Sequence, residues 1–229
     1  MTSRHSFRPV LAIALAAAVA LVARYAVRFV GVPPATFFPP SFVTHSVMLA
    51  LSVGAMWLLS KGRLDLYGLA KGTYEFSPRI LMWVLPTAVL SIASAVASLT
   101  GHGTGGPSEF TKPQLVVFVW VYASISEELL TRGLLQTLLS GNSRVGATAP
   151  RRLSMPVLVS ALFFGSMHIV LVKSMGPTAI PVILMAVFLG LIAARYRERT
   201  GSLLPAIIVH ALFNIGGMLP LWVIQWLRG

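Results

Sequence analysis

Glu127 and Glu128 stand side by side in an apolar run that otherwise reads as membrane-spanning, with Arg132 one helical turn further on. Only six acids occur in the 229 residues, and the other four, Asp65, Glu75, Glu109 and Glu198, read as parts of polar connections. A charged side chain at the centre of a bilayer costs about 3 kcal/mol even on lenient insertion scales, so a pair of carboxylates there signals function. At 3.6 residues per turn Glu128 and Arg132 share a face and can form an intrahelical ion pair, while Glu127 points to a neighbouring face. Arg132 then neutralises Glu128 and leaves Glu127 available as a base. The plainer reading is a charge cluster that fixes helix packing. One Glu–Arg pair would do that, and the second acid adds cost without benefit.

Two histidines fall inside other apolar runs, His168 four residues after Phe164, and His210 four residues before Asn214. His210 and Asn214 share a helix face. Taken singly, such histidines are more often satisfied core residues than catalysts; it is their company that makes them candidates. His5, His45 and His102 fall in the N-terminal tail, at a span margin and in a loop, and are assigned no role. With a rise of 1.5 Å per residue, Glu127 and His210 lie on the order of 10 to 20 Å deep, and His168 roughly 15 to 20 Å, so the groups can meet. Gly133 and Gly165 would let helices approach closely beside them.

The elements that must position these residues follow from composition. The chain is 56% hydrophobic and 10% charged, against about 25% charged in soluble domains, with a mean hydropathy of +0.81. It reads as an all-α polytopic transmembrane bundle. Apolar runs at 9–29, 41–60, 79–99, 114–139, 154–173, 178–195 and 203–226 give seven spans, or eight if the last is broken near Gly216-Gly217. No internal repeat is visible, and 1–229 reads as one integral-membrane domain. Absence of cysteine excludes disulfides, thiolate chemistry and Cys-ligated metals.

The net charge of +12 does not mark a nucleic-acid partner, because the basic residues are scattered through short connections. Twelve of the eighteen, namely Arg4, Arg8, Lys61, Arg63, Lys71, Arg79, Arg144, Arg151, Arg152, Arg195, Arg197 and Arg199, fall on one side of the spans. By the positive-inside rule that side and the N-terminus are cytoplasmic, and an odd number of spans puts the C-terminus outside. Arg24 and Arg28, in the outer half of the first span, must snorkel or pair. The first run, basic and then Ala-rich, is also like a secretory signal peptide; its length and the lack of a clean cleavage site favour an uncleaved span.

Three motifs in order, Glu127-Glu128-x-x-x-Arg132, Phe164-x-x-x-His168 and His210-x-x-x-Asn214, each inside a span, resemble those of the CAAX protease and bacteriocin-processing (CPBP, or Abi) family of intramembrane glutamic endopeptidases. They occupy 114–215. The resemblance implies that Glu127, with His168, activates a water to attack a peptide carbonyl. His210 and Asn214 would polarise that carbonyl and stabilise the oxyanion, and Glu128 and Arg132 would orient the site. Phe164, the least chemical of the set, is expected to pack near the site, either as a substrate contact or simply as core. No cofactor or metal is implied, and the partners would be a membrane-associated or lipid-anchored peptide or protein substrate and membrane lipid, in a prokaryotic inner membrane.

Two other readings use the same residues. His168, His210 and a glutamate could supply three zinc ligands, although no H-E-x-x-H is present. A non-catalytic peptide-binding or immunity protein of the family, or a small transporter whose buried acids carry protons, is the other; a transporter would more typically show paired repeats with broken helices. The sequence names neither the physiological substrate nor the oligomeric state.

Overall fold

The computed structural model describes residues 3–31, 36–69, 75–99, 110–141 and 153–228, and every regular element among them is helical. The apolar runs become α1 (Ser3–Ala26), α2 (Pro40–Ser60), α3 (Leu85–Leu99, entered through 3-10 turns over Pro78–Val84), α4 (Lys112–Leu139), α5 (Met155–Met167), α6 (Ala179–Thr200) and α7 (Leu204–Arg228). Their ends carry the expected chemistry. Prolines open α2 and α5 in their first turns, where the missing N–H has no intrahelical partner to lose. Gly201, at φ 70°, closes α6 in the left-handed conformation.

Five stretches are long and apolar enough to cross a membrane: Arg8–Ala26, Pro40–Ser60, Lys112–Leu139, Met155–Thr200 and Leu204–Ile224. The expected seven or eight spans compare with these five among the described residues: Pro78–Ala93 stands as a shorter apolar stretch of a helix that runs on to Leu99, and Met155–Thr200 counts once. Met155–Thr200 is continuous in hydropathy but not one rod: it breaks at 3-10 turns around Gly176, and α5 and α6 fold back against each other. The close approach comes from small residues, since a Cβ on Gly190 would stand 2.8 Å from the Ala161 Cα. The last helix runs through Gly216 and Gly217 without interruption, so the break that would have made eight spans is not there.

At the centre is α4, which contacts α1, α2, α5, α6 and α7. Its backbone alternates between α and π turns, with π turns over Leu115–Ala123 and Leu129–Leu135 on either side of Ser124–Glu128. Single π turns mark functional segments in many helices. Every residue from Leu129 to Leu135 is buried, so polar groups here must find partners inside the protein. Ser160 Oγ donates to the Thr131 carbonyl at 3.0 Å, and Gln136 Nε2 to the Ala194 carbonyl at 2.9 Å, tying α4 to α5 and α6.

Large apolar side chains on the outer helices, among them Leu11, Val22, Leu58, Val89, Leu162 and Leu184, are exposed. In water such surface would be a liability; in a bilayer it is the lipid-facing surface. Two sequence assignments need correction. Glu198 is not in a connecting loop but in the last turns of α6, buried and ion-paired with Arg195. Arg197 belongs to the same turns, buried, with its Nη2 3.3 Å from Thr137 Oγ1. The expected loops around Lys71, Arg144 and Arg151, and residues Glu109 and His102, lie outside the described residues.

Candidate active site

The two glutamates on α4 part company as their spacing predicts. Glu128 is fully buried and accepts a 2.9 Å hydrogen bond from Arg132 Nη1, the i,i+4 ion pair. Arg132, equally buried, also donates to Thr131 Oγ1, and its guanidinium lies 4.6 Å above the Phe164 ring. A buried cation held between a carboxylate and an aromatic face is fixed in orientation. Glu127 is different: its side chain keeps 15% of its exposure, and among the described residues its ion-pair partners are histidines. One carboxylate is locked into the helix bundle, and its neighbour can be reached.

His210, on α7, bridges the pair. Its Nδ1 donates to Glu128 Oε1 at 2.9 Å, and its Nε2 stands 3.7 Å from Glu127 Oε2. One turn on, the Asn214 amide nitrogen donates to the Val119 carbonyl at 3.0 Å and to Ser124 Oγ at 3.2 Å. Both bonds reach into the segment before the glutamates, where the π turns end. The stack of Trp120 on Trp222, with ring centroids 5.0 Å apart, fastens the same two helices further along.

At the end of α5, His168 Nδ1 donates to the Phe164 carbonyl at 3.0 Å, which fixes the ring and leaves Nε2 as the free nitrogen. The Phe164 ring sits edge-on to both imidazoles, 4.9 Å from His168 and 5.3 Å from His210. Phe164 is therefore a spacer packed among His168, His210 and Arg132. No hydrogen bond joins Glu127 to His168 among the described residues, although His168 is near enough to act on the Glu127 charge. A cavity of about 110 Å³ is lined by His168, His210, Asn214 and Phe164 together with residues that include Thr87, Met185 and Leu189. A larger cavity of about 330 Å³, around Trp83, Arg195, Tyr196 and Arg199, contains none of the motif residues.

The residue that the sequence reading passed over is His45. It lies in the second turn of α2, and its Nε2 is 3.2 Å from Glu127 Oε1. The signal that could have found it is the one that found the glutamates: a polar, titratable side chain within an apolar run. Its position near the span margin argued against it, but α2 packs on α4 at that level. Ser46 Oγ shares a 2.8 Å hydrogen bond with the Tyr122 hydroxyl, and Phe42 packs on Phe118 and Tyr122.

Among the described residues no group of three His, Cys, Asp or Glu side chains is arranged to hold a metal ion. All six polar motif residues meet around α4, contributed by three helices that are distant in sequence. Such a set, beside a cavity and within long apolar helices, suits activation of a water molecule and stabilisation of a developing anion.

Comparison with known proteins bears on the same segment. Residues 109–216 match the profile of a family described as Rce1-like, type II CAAX prenyl endopeptidase. No curated protein and no solved structure matches the chain. The matched residues take in α4, α5, α6 and the part of α7 that carries His210 and Asn214. They do not include α2 or His45. The CPBP resemblance of the three motifs and this match agree: the segment that builds the site is similar to the Rce1-like type II CAAX prenyl endopeptidase family.

Proposed function

We propose that this protein is an intramembrane glutamic endopeptidase that hydrolyses a peptide bond of a membrane-associated or lipid-anchored substrate. The observation that carries the reading is the contrast between the two glutamates. Glu128 is neutralised and closed off by Arg132, whereas Glu127 keeps some exposure with imidazoles facing its carboxylate, one of them, His210, lining a cavity together with His168 and Asn214. Glu127 takes a proton from a water molecule as the water oxygen attacks the peptide carbonyl carbon. The Nε2 of His168 helps to hold that water. The carbonyl electrons move onto oxygen, and His210 and Asn214 receive the oxyanion. The proton held by Glu127 passes to the departing nitrogen, which leaves as an amine, and the other product is a carboxylic acid.

Two bonds seen in the resting site exchange during that sequence. Both Asn214 amide hydrogens are engaged, so donation to the oxyanion releases the 3.2 Å bond to Ser124, the longer of the two. The ion pair Glu128–Arg132 keeps its place throughout and holds His210 through Nδ1. The family match nominates a prenylated C-a-a-X peptide as the first substrate to try. For topology, we infer seven spans, obtained by counting the two limbs of Met155–Thr200 separately and adding the helix that starts at Pro78, with the N-terminus cytoplasmic.

The test is cleavage of a farnesylated C-a-a-X peptide by purified protein in detergent or nanodiscs. Glu127→Gln should abolish turnover without preventing membrane insertion, because it removes the base and keeps the side-chain volume. Asn214→Ala should leave a residual rate lower by roughly 10²- to 10³-fold, the usual effect of losing one oxyanion donor. Exhaustive chelation should leave turnover intact, since a glutamate-activated water needs no ion; activity lost on chelation and restored by zinc would establish metal-assisted hydrolysis instead. Wild-type cleavage by Glu127→Gln would refute the assignment.

A further inference from the structure

His45 lies outside the family-matched segment, yet it makes the shortest side-chain contact to Glu127 among the described residues. Its chemistry is constrained from both sides. Its Nδ1 is 2.8 Å from the Ser41 carbonyl, one turn earlier in α2. A carbonyl oxygen can only accept, so Nδ1 carries a hydrogen, and the nitrogen turned toward Glu127 is Nε2. Two bare lone pairs, one on Nε2 and one on Oε1, would repel at 3.2 Å, so a proton sits between them.

The surroundings hold His45 in that pose. Tyr122, itself bonded to Ser46, stands edge-on to the His45 ring with centroids 6.4 Å apart. Gln114 Nε2 donates to the Phe37 carbonyl just before α2 begins, and Phe37, Phe38 and Phe42 all pack on Phe118 of α4. The imidazole is presented by a docked helix end and keeps only 14% of its side-chain exposure. The other charged or titratable groups acting on Glu127 are His210 from α7, His168 from the end of α5, and Arg132 on α4. Of the three histidines only His45 takes Oε1. Oε2 is left facing His210, which itself lines the cavity.

We propose that His45 is a positioning residue for the reaction: its Nε2–H binds Oε1 of Glu127 and so aims Oε2 at the water to be activated. This rests on Glu127 acting as the base. It adds α2 to the catalytic apparatus, which would otherwise be drawn wholly from the family-matched half. A carboxylate rotates freely about its last bond unless one oxygen is anchored, and misplacement of a reacting atom by an ångström can cost on the order of 10²-fold in rate.

The direct test reads the nitrogen itself. In protein labelled with ¹⁵N-histidine and reconstituted in nanodiscs, the His45 signals are assigned by comparison with His45→Gln. Wild-type protein should show a protonated Nε2 on His45, and Glu127→Gln should convert it to an unprotonated, pyridine-type nitrogen, because Gln supplies its own N–H to the contact. An unprotonated Nε2 in wild type, or one that Glu127→Gln leaves unchanged, would overturn the proposal. With the farnesylated peptide, His45→Ala should lower kcat roughly 10- to 100-fold with KM within about twofold, and His45→Gln, whose amide can donate in place of Nε2–H, should recover part of the loss. Unaltered kcat in His45→Ala would also overturn it. If wild-type protein itself fails to cleave the peptide, the peptidase reading falls, and the nitrogen signal still decides whether His45 holds Glu127.

Discussion

At the residue scale the site is a lesson in how one helix makes two carboxylates unequal. Glu128 and Arg132 have no side-chain exposure, and His210 donates to the same glutamate oxygen that Arg132 holds. Removing only the cation would strand a buried negative charge, with a penalty typically about 3–5 kcal/mol. Arg132→Met is therefore expected to lower the thermal midpoint in detergent sharply, and Arg132→Met combined with Glu128→Leu should recover much of the stability while leaving the protein inactive. Scanning fluorimetry alongside the cleavage assay checks both halves. Equal midpoints for Arg132→Met and wild type would mean that the pair does not support the fold.

At the element scale, close helix approach decides whether the motif side chains meet. α5 carries Phe164 and leads directly into His168, and its seat against α6 depends on glycines. A Cβ on Gly190 would stand 2.8 Å from the Ala161 Cα, a backbone atom with nowhere to go. A Cβ on Gly133 would meet the Met56 Sδ at 3.2 Å and the Leu203 Cδ1 at 3.5 Å, both ends of flexible side chains. Gly190→Val should thus push α5 from α6, destabilise the protein by roughly 1–3 kcal/mol and reduce turnover through displacement of His168. Gly133→Ala should be tolerated. Thermal midpoints of the two variants, measured side by side, separate overpacking against backbone from overpacking against a yielding side chain.

For the whole molecule, the arrangement around α4 explains why so few charges suffice. The helix that carries the glutamates is the one most enclosed by protein, while α1, α2 and α7 turn apolar side chains outward. The basic residues gather at one side of the apolar runs, which fixes an expected orientation. Reporter fusions at Lys71 and Arg151 should both read as cytoplasmic, and a fusion at Gly103 should read as the opposite side. An external signal at Arg151 would reverse the inferred topology and move access to the site to the other face of the membrane.

The features legible from residue types and spacing rest on local rules. Acids inside an apolar run are costly enough to be informative, and four-residue spacing on a helix has one geometric meaning, so the Glu128–Arg132 pair and the separate direction of Glu127 were legible from residue types and positions alone. Length and hydropathy likewise announced helices, with boundaries close to those of α2 and α4. The tertiary structure alone decided which distant groups meet. His45 reaches Glu127 across 82 positions, and His210 reaches Glu128 across the same separation; neither distance leaves a mark on local periodicity. The fold-back of Met155–Thr200 was visible as two runs but not as the tight α5–α6 contact, because that contact depends on Gly190 lying opposite Ala161. The π turns flanking the glutamates were equally hidden. They lie in the helix that touches five others, and no hydropathy pattern along that segment marks them.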